Sequence, residues 1–202
     1  LQKEGEAAGL CYNGLLALQH RGQEGAGIAA ARDNALCCRK GLGLVPEALS
    51  PQVMEEFPGA AQAIGHVRYS TTGANTVGNV QPFVTEFLTG RIATAHNGNV
   101  VNAREIREKL TSFGLEFTAT SDSEVVSSLI AYKVMRAKDF VTGGKEACRL
   151  LRGAFSLVVL SGDGRMVAVR DPNGFRPLCL GENGRGVAVA SESCALDSCG
   201  FR

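Results

Sequence analysis

Arg91-Ile92-Ala93-Thr94-Ala95-His96-Asn97-Gly98-Asn99 sets out the plan of this chain: an apolar strand-like segment runs into a polar tetrapeptide, and a helix signal follows at Asn102. Upstream the arrangement repeats, with Ala63 to Arg68 leading into Tyr69-Ser70-Thr71-Thr72-Gly73. Strand ends are good places for functional side chains, because a rigid sheet aims them. Downstream, Thr120-Ser121-Asp122-Ser123-Glu124 opens a helical pattern. These three stretches bring a cation, an anion and a polar turn, which is what is needed to hold a free amino acid while its side-chain carbonyl is attacked.

Working outward, Ala7, Leu10, Cys11, Leu15 and Leu18 recur at helical spacing between Glu6 and Gln19, and Gly22, Gly25 and Gly27 end that pattern. Asp33-Asn34 joins Ala26–Ala31 to Ala35–Arg39 as a hairpin, and Ser50-Pro51 opens a short helix toward Phe57. Capping-box patterns at Asn102/Glu105 and Ser121/Glu124 predict helices from Ala103 to Phe113 and from Asp122 to Arg136, with another between Thr142 and Leu151. Ala154–Leu160, Met166–Arg170, Pro177–Gly181 and Gly186–Ser191 read as an antiparallel meander. Strands at both ends with helices between them imply an α+β layered domain, two sheets faced by helices.

The 202 residues carry a net charge of +1, and the 21 Lys and Arg form no basic run, which disfavours nucleic acid as a partner. No apolar run approaches the roughly 20 residues that span a bilayer, so no membrane role is expected and a soluble, cytoplasmic protein is. Seven cysteines without a C-x-x-C pair suggest neither a disulfide framework nor a zinc ribbon. Nucleophile-elbow, zincin and phosphate-loop motifs are missing, and the glycines from Gly22 to Gly27 have the wrong spacing for a dinucleotide fold.

Each candidate residue has two readings. Arg68 is either a bidentate carboxylate ligand or a structural ion-pair partner. Asp122 is either a counter-ion for an ammonium or an acid favoured by its helix N-terminus. Asn97 and Gly98 are either oxyanion donors or a plain Asn-Gly turn between strand and helix. His20 and Arg21 are either site residues or partners of a helix C-terminus.

Taken in order, Leu18–Glu24, Gly65–Gly73, Gln81-Pro82-Phe83, Ala95–Asn99, Thr120–Glu124 and Arg170-Asp171-Pro172-Asn173-Gly174-Phe175-Arg176-Pro177 resemble the class II glutamine amidotransferase domain of the amidophosphoribosyltransferase family over nearly the whole chain. Gln19-His20-Arg21-Gly22 and His66-Val67-Arg68-Tyr69 fit that family better than the glucosamine-6-phosphate synthases, whose motifs read more like Glu-Tyr-Arg-Gly and His-Thr-Arg-Trp.

The resemblance implies an N-terminal-nucleophile hydrolase fold, a four-layer αββα sandwich. It implies that an N-terminal Cys attacks glutamine, its own α-amine serves as base, and ammonia passes to phosphoribosyl pyrophosphate to give 5-phosphoribosylamine for purine synthesis. By the same carry-over Arg68 and Thr71 hold the glutamine carboxylate and Asp122 and Gly98 its amino group. Asn97 and Gly98 form the oxyanion hole, and Arg21 and Tyr69 line or gate the pocket.

In the family a strand of the type Cys-Gly-Val-Phe-Gly-Ile comes first, and this chain opens at Leu1. Cys11 is no substitute, since it lies within a helix and its nitrogen is acylated. The expectation is therefore one domain over 1–202, incomplete at both ends, without its first strand, without its phosphoribosyltransferase domain, and inactive alone as a glutaminase. No cofactor or metal is expected in this chain; the resemblance implies Mg2+ for the full-length enzyme, together with the iron–sulfur cluster that some relatives carry, and a homo-oligomer. The alternative is a non-catalytic glutamine-binding or interaction domain that lacks the nucleophile.

Overall fold

The structure, a computed structural model, describes residues 6–69, 76–184 and 186–202. Helix α1 (Ala7–Ala17) buries Ala7, Ala8 and Leu15 and gives way to a 3-10 turn, Gln19–Arg21. Strands β1 (Gly25–Arg32) and β2 (Ala35–Leu42) form the expected hairpin, with Asp33 and Asn34 at φ 51° and 59°, the left-handed pair that a two-residue turn matched to strand twist requires. Two one-turn helices follow, α2 (Val45–Ala48) and α3 (Pro51–Met54), the latter capped by the Ser50 hydroxyl, which accepts from the Val53 N–H at 3.4 Å. Strand β3 (Gln62–Arg68) then pairs with the free side of β1, giving a sheet of order β2-β1-β3 in which Gly25 faces Arg68.

The second sheet has the order β4-β5-β6-β7. Its edge strand β4 (Phe83–Phe87) has no counterpart in the sequence reading. Strand β5 (Gly90–Val100) is longer than expected and corrects the reading of its polar end: Asn97 pairs with Ser156 and Gly98 with Phe155 of β6 (Gly153–Ser161), so this tetrapeptide is strand and not a turn. Strand β7 (Met166–Arg170) closes that sheet.

Helices α4 (Ala103–Ser112), α5 (Asp122–Ala137) and α6 (Phe140–Cys148) begin close to where the sequence placed them, yet neither capping box forms. The Asn102 side chain instead bridges the Leu150 carbonyl and the Arg152 N–H, and Glu105 pairs with Arg152. Glu124 accepts from the N–H groups of Thr118 and Ala119, leaving Ser121 to cap α5 through the Ser123 N–H.

The expected four-stranded meander is also corrected. Strands β8 (Cys179–Asn183) and β9 (Gly186–Ala190) pair with each other in a separate two-stranded sheet, packed on α7 (Ser193–Ser198). The chain changes sheet at Asp171. Burial alone would raise this carboxyl's pKa, but N–H groups of Phe155, Asn173, Phe175 and Arg176 donate to it and hold it below the usual carboxylate range.

Three apolar clusters fill the spaces between layers. Ala8 and Leu15 of α1 meet Ala26, Ile28 and Val67 of the first sheet. Ala29, Ala31 and Ile64 meet Ala93, Ala95 and Leu160 between the sheets, and Leu157 and Val159 of the second sheet meet Val126, Ile130 and Phe140 of α5 and α6. Alternation sorts these residues: along β1, Ile28 and Ala30 face the helix while Ala29 and Ala31 face the other sheet. The architecture is the αββα sandwich the sequence implied.

Candidate active site

One cavity of about 710 Å³ is lined by Arg68 and Tyr69 at the end of β3, Asn97 and Gly98 on β5, Asp122 at the start of α5, and Arg21. The described residues that the resemblance assigns to the site therefore meet in a single space, whereas His20, the remaining candidate, does not line it. Thr71 and its neighbours Ser70, Thr72 and Gly73 lie outside the described residues.

Arg68 is 5% exposed, with Nη1 at 3.9 Å from Glu24 Oε2. Its position is fixed by backbone: the Glu24 N–H donates to the Arg68 carbonyl at 3.1 Å, and a Cβ on Gly22 would lie 2.5 Å from the Arg68 carbonyl carbon, so only glycine permits this approach. Arg21 lies on the same wall and donates to Glu192, which His20 also engages at 2.8 Å. The Arg21 guanidinium, then His20, keep Glu192 ionised at lower pH than an ordinary glutamate. Tyr69 stands exposed at the rim.

On the facing wall Asp122 Oδ2 accepts from the Val100 N–H at 3.0 Å, and Oδ1 receives the Ser123 hydroxyl at 3.4 Å. His96, 2% exposed, sits behind it with Nδ1 2.9 Å from Ser123 Oγ and 3.9 Å from Asp122 Oδ1. Gln81, absent from the expected site residues, clamps this strand: its Oε1 accepts from the His96 N–H at 2.7 Å and its Nε2 donates to the His96 carbonyl at 3.0 Å. Gln81 Nε2 also approaches His66 Nε2 at 3.3 Å.

Gly98 has φ 151°, and a Cβ there would lie 2.1 Å from the Ala154 carbonyl oxygen. Both facts demand glycine, because the obstructing atom belongs to the paired strand and cannot swing away. Gly98→Ala is expected to cost about 1–3 kcal/mol or more, the range for forced overpacking. Urea unfolding measures it, and an unchanged midpoint would refute the register described.

Burial pushes the pKa of His66 down to about 4 and lowers that of His96 as well, Asp122 pulling the latter back up and Arg176 pushing it further down. Both imidazoles are thus neutral in the fold, whereas an unfolded histidine titrates near 6.5. Folded values below the unfolded one mean that this stability is complete above about pH 6.5 and is lost as pH falls toward the folded values. The melting temperature should drop between about pH 6.5 and 5, before the carboxylates titrate, with each ~1 kcal/mol appearing as about 2–4 °C. His66→Gln should flatten that slope. A melting temperature constant over this window would contradict neutral burial.

Residues 66–198 match the family described as glutamine amidotransferase domain. The chain belongs to this family. It is 49% identical over 193 residues to amidophosphoribosyltransferase 3, chloroplastic, of Arabidopsis thaliana, covering 95% of this chain and 36% of that protein. To the amidophosphoribosyltransferase of Methanocaldococcus jannaschii it is 44% identical over 185 residues, 92% of this chain and 39% of that one. The solved glutamine phosphoribosylpyrophosphate amidotransferase of B. subtilis, complexed with ADP and GMP, superposes with a TM-score of 0.86 at 39% identity, over 98% of this chain and 42% of that chain. The chain thus spans well under half the length of these relatives. Among the described residues no helix is long and apolar enough to cross a membrane, and the plant relative's name places it in the chloroplast.

Proposed function

We propose that this domain hydrolyses glutamine to glutamate and ammonia, and that the ammonia aminates phosphoribosyl pyrophosphate to 5-phosphoribosylamine, the first step of de novo purine synthesis, on a phosphoribosyltransferase domain outside this chain. The observation that carries the reading is the single cavity shared by Arg68, Asn97, Gly98 and Asp122. Arg68 offers a planar two-point contact for the substrate carboxylate and Asp122 a counter-charge for its ammonium. The Asn97 amide and the Gly98 backbone are disposed along one strand to receive the oxyanion as a nucleophile adds to the side-chain carbonyl. Collapse of that adduct expels ammonia, and water then releases glutamate.

Support for the nucleophile comes from the shape of the cavity. It follows β3 from Gln62 to Arg68, with Tyr69 just beyond, and β9 from Val187 to Ala190, and among the described residues each of these strands is paired on one side only. A slot between two half-satisfied edges suits one more strand, and we assign it to a strand that precedes Leu1 and begins with the nucleophilic cysteine. Its α-amine, with an ordinary pKa of about 7.7–8.0, suits the task of base. Cys11 also lines the slot, but burial raises its thiol to about 12, which leaves negligible thiolate. Among the described residues no group of three or more His, Cys, Asp or Glu side chains is placed to hold a metal ion; in this proposal Mg2+ and an iron–sulfur cluster belong to the full-length enzyme beyond this chain, and no step described here runs through either.

The test uses the full-length native polypeptide: glutaminase activity, and its loss on treatment with diazo-oxo-norleucine, a glutamine-mimicking alkylator. Labelling of a cysteine ahead of Leu1 supports the reading. A natural N-terminus without that cysteine, with no turnover of glutamine, would replace it by a glutamine-binding module.

A further inference from the structure

We infer that Glu192 is a positioning residue for the glutamine pocket, acting as a clasp that holds Arg21 in place across the mouth of the slot. The inference rests on the function proposed above. Three observations carry it. Arg21 closes the turn after α1 and lines the same cavity as Arg68, and the next residue, Gly22, packs directly on the Arg68 backbone. Glu192 comes from the other side of the slot, two residues beyond the end of β9 and at the N-cap of α7. Its two oxygens are divided between two side chains of the same turn, Oε1 receiving Arg21 Nη1 and Oε2 facing His20 Nε2, with the Cys194 thiol also directed at Oε2 at 3.7 Å. The pair therefore ties the turn after α1 to the two-stranded sheet at the end of the slot where Arg68 and Tyr69 lie.

A guanidinium has a long stem with about 2 kcal/mol of rotamer entropy, and an unanchored Arg21 would spread over many positions, a freedom that has to be given up when glutamine binds. Glu192 removes that freedom. It also neutralises Arg21 locally, as Glu24 does for Arg68 at longer range, which keeps a pocket built for a zwitterion from becoming a general anion trap. The Arg21 and Glu192 side chains are 24% and 33% exposed, so their pairing contributes little to global stability. A structural role and a positioning role hence give different results.

The experiment is a double-mutant cycle on the full-length enzyme, measuring glutamine KM and kcat, inhibition by free glutamate and by a dicarboxylate without an amino group such as glutarate, and the melting temperature. Glu192→Gln should raise the glutamine KM by roughly tenfold, with kcat changed far less, glutarate inhibition strengthened relative to glutamate, and melting unaltered. Adding Arg21→Ala to Glu192→Gln should cost no more than either change alone. Glu192→Asp, which keeps the charge, should recover part of the KM. A KM within twofold of the parent, additive effects in the double variant, or a loss that follows the melting temperature would overturn the clasp while leaving glutamine hydrolysis intact. A parent enzyme that does not turn over glutamine would instead refute the underlying function.

Discussion

Asn97→Ala should lower kcat for glutamine hydrolysis by roughly 10²- to 10³-fold, the loss that follows removal of one oxyanion donor. The effect belongs on kcat because the amide hydrogen bond matters chiefly when the carbonyl oxygen becomes an anion, so KM should change little. The strand setting of Asn97 makes this a clean test. Its backbone is held in register opposite Ser156, and the preceding His96 is clamped at both N–H and carbonyl by Gln81. Truncation at Cβ therefore removes the amide without moving its neighbours. A variant with normal turnover would mean that Asn97 supports the strand only.

Arg68→Lys should act on the other parameter. An ammonium supplies one compact charge in place of a planar fork, and losing part of a charged hydrogen-bonded contact, worth about 1.5–3 kcal/mol, should raise the glutamine KM by roughly 10- to 100-fold. Glu24 bears on this prediction. It stands 3.9 Å from Arg68 Nη1, so a lysine would be drawn toward Glu24 and still less able to serve the ligand. Unaltered kinetics in Arg68→Lys would show that the Glu24 contact is the whole purpose of the arginine.

Arg68 and Asp122 were legible in the sequence because each is placed by local rules, one by the apolar run of its strand and the other by the cap of its helix. Both fall where those rules put them, the last residue of β3 and the first of α5. Asn97-Gly98 misled for a physical reason: the pair is a strong turn former, and only the nine-residue register between β5 and β6, together with a glycine conformation imposed by the Ala154 carbonyl, keeps it extended. Gln81 and Asp171 entered only as members of motifs, without a role, and Glu192 not at all, because what they do depends on partners far along the chain. Gln81 reaches His96, Asp171 reaches Phe155, and Glu192 reaches back 171 positions to Arg21.

Strand positions were likewise better defined than sheet membership. The residues of β6 to β9 alternate and turn as a meander would, yet the Asp171 cluster of N–H donors diverts the chain before β8 can join β7. Capping boxes failed for a related reason. Glu105 and Glu124 carry the right spacing, but Arg152 and the Thr118–Ala119 backbone offer them stronger or nearer partners.

Whether one cleft receives both charged ends of glutamine is decided by a crystal structure of the full-length protein with bound glutamate. In that complex the Arg68 guanidinium and the Asp122 carboxylate should lie within about 2.7–3.2 Å of the ligand's α-carboxylate and ammonium. Glutamate bound elsewhere, with Arg68 still facing Glu24 and Asp122 still held by Val100, Ser123 and His96, would contradict that placement.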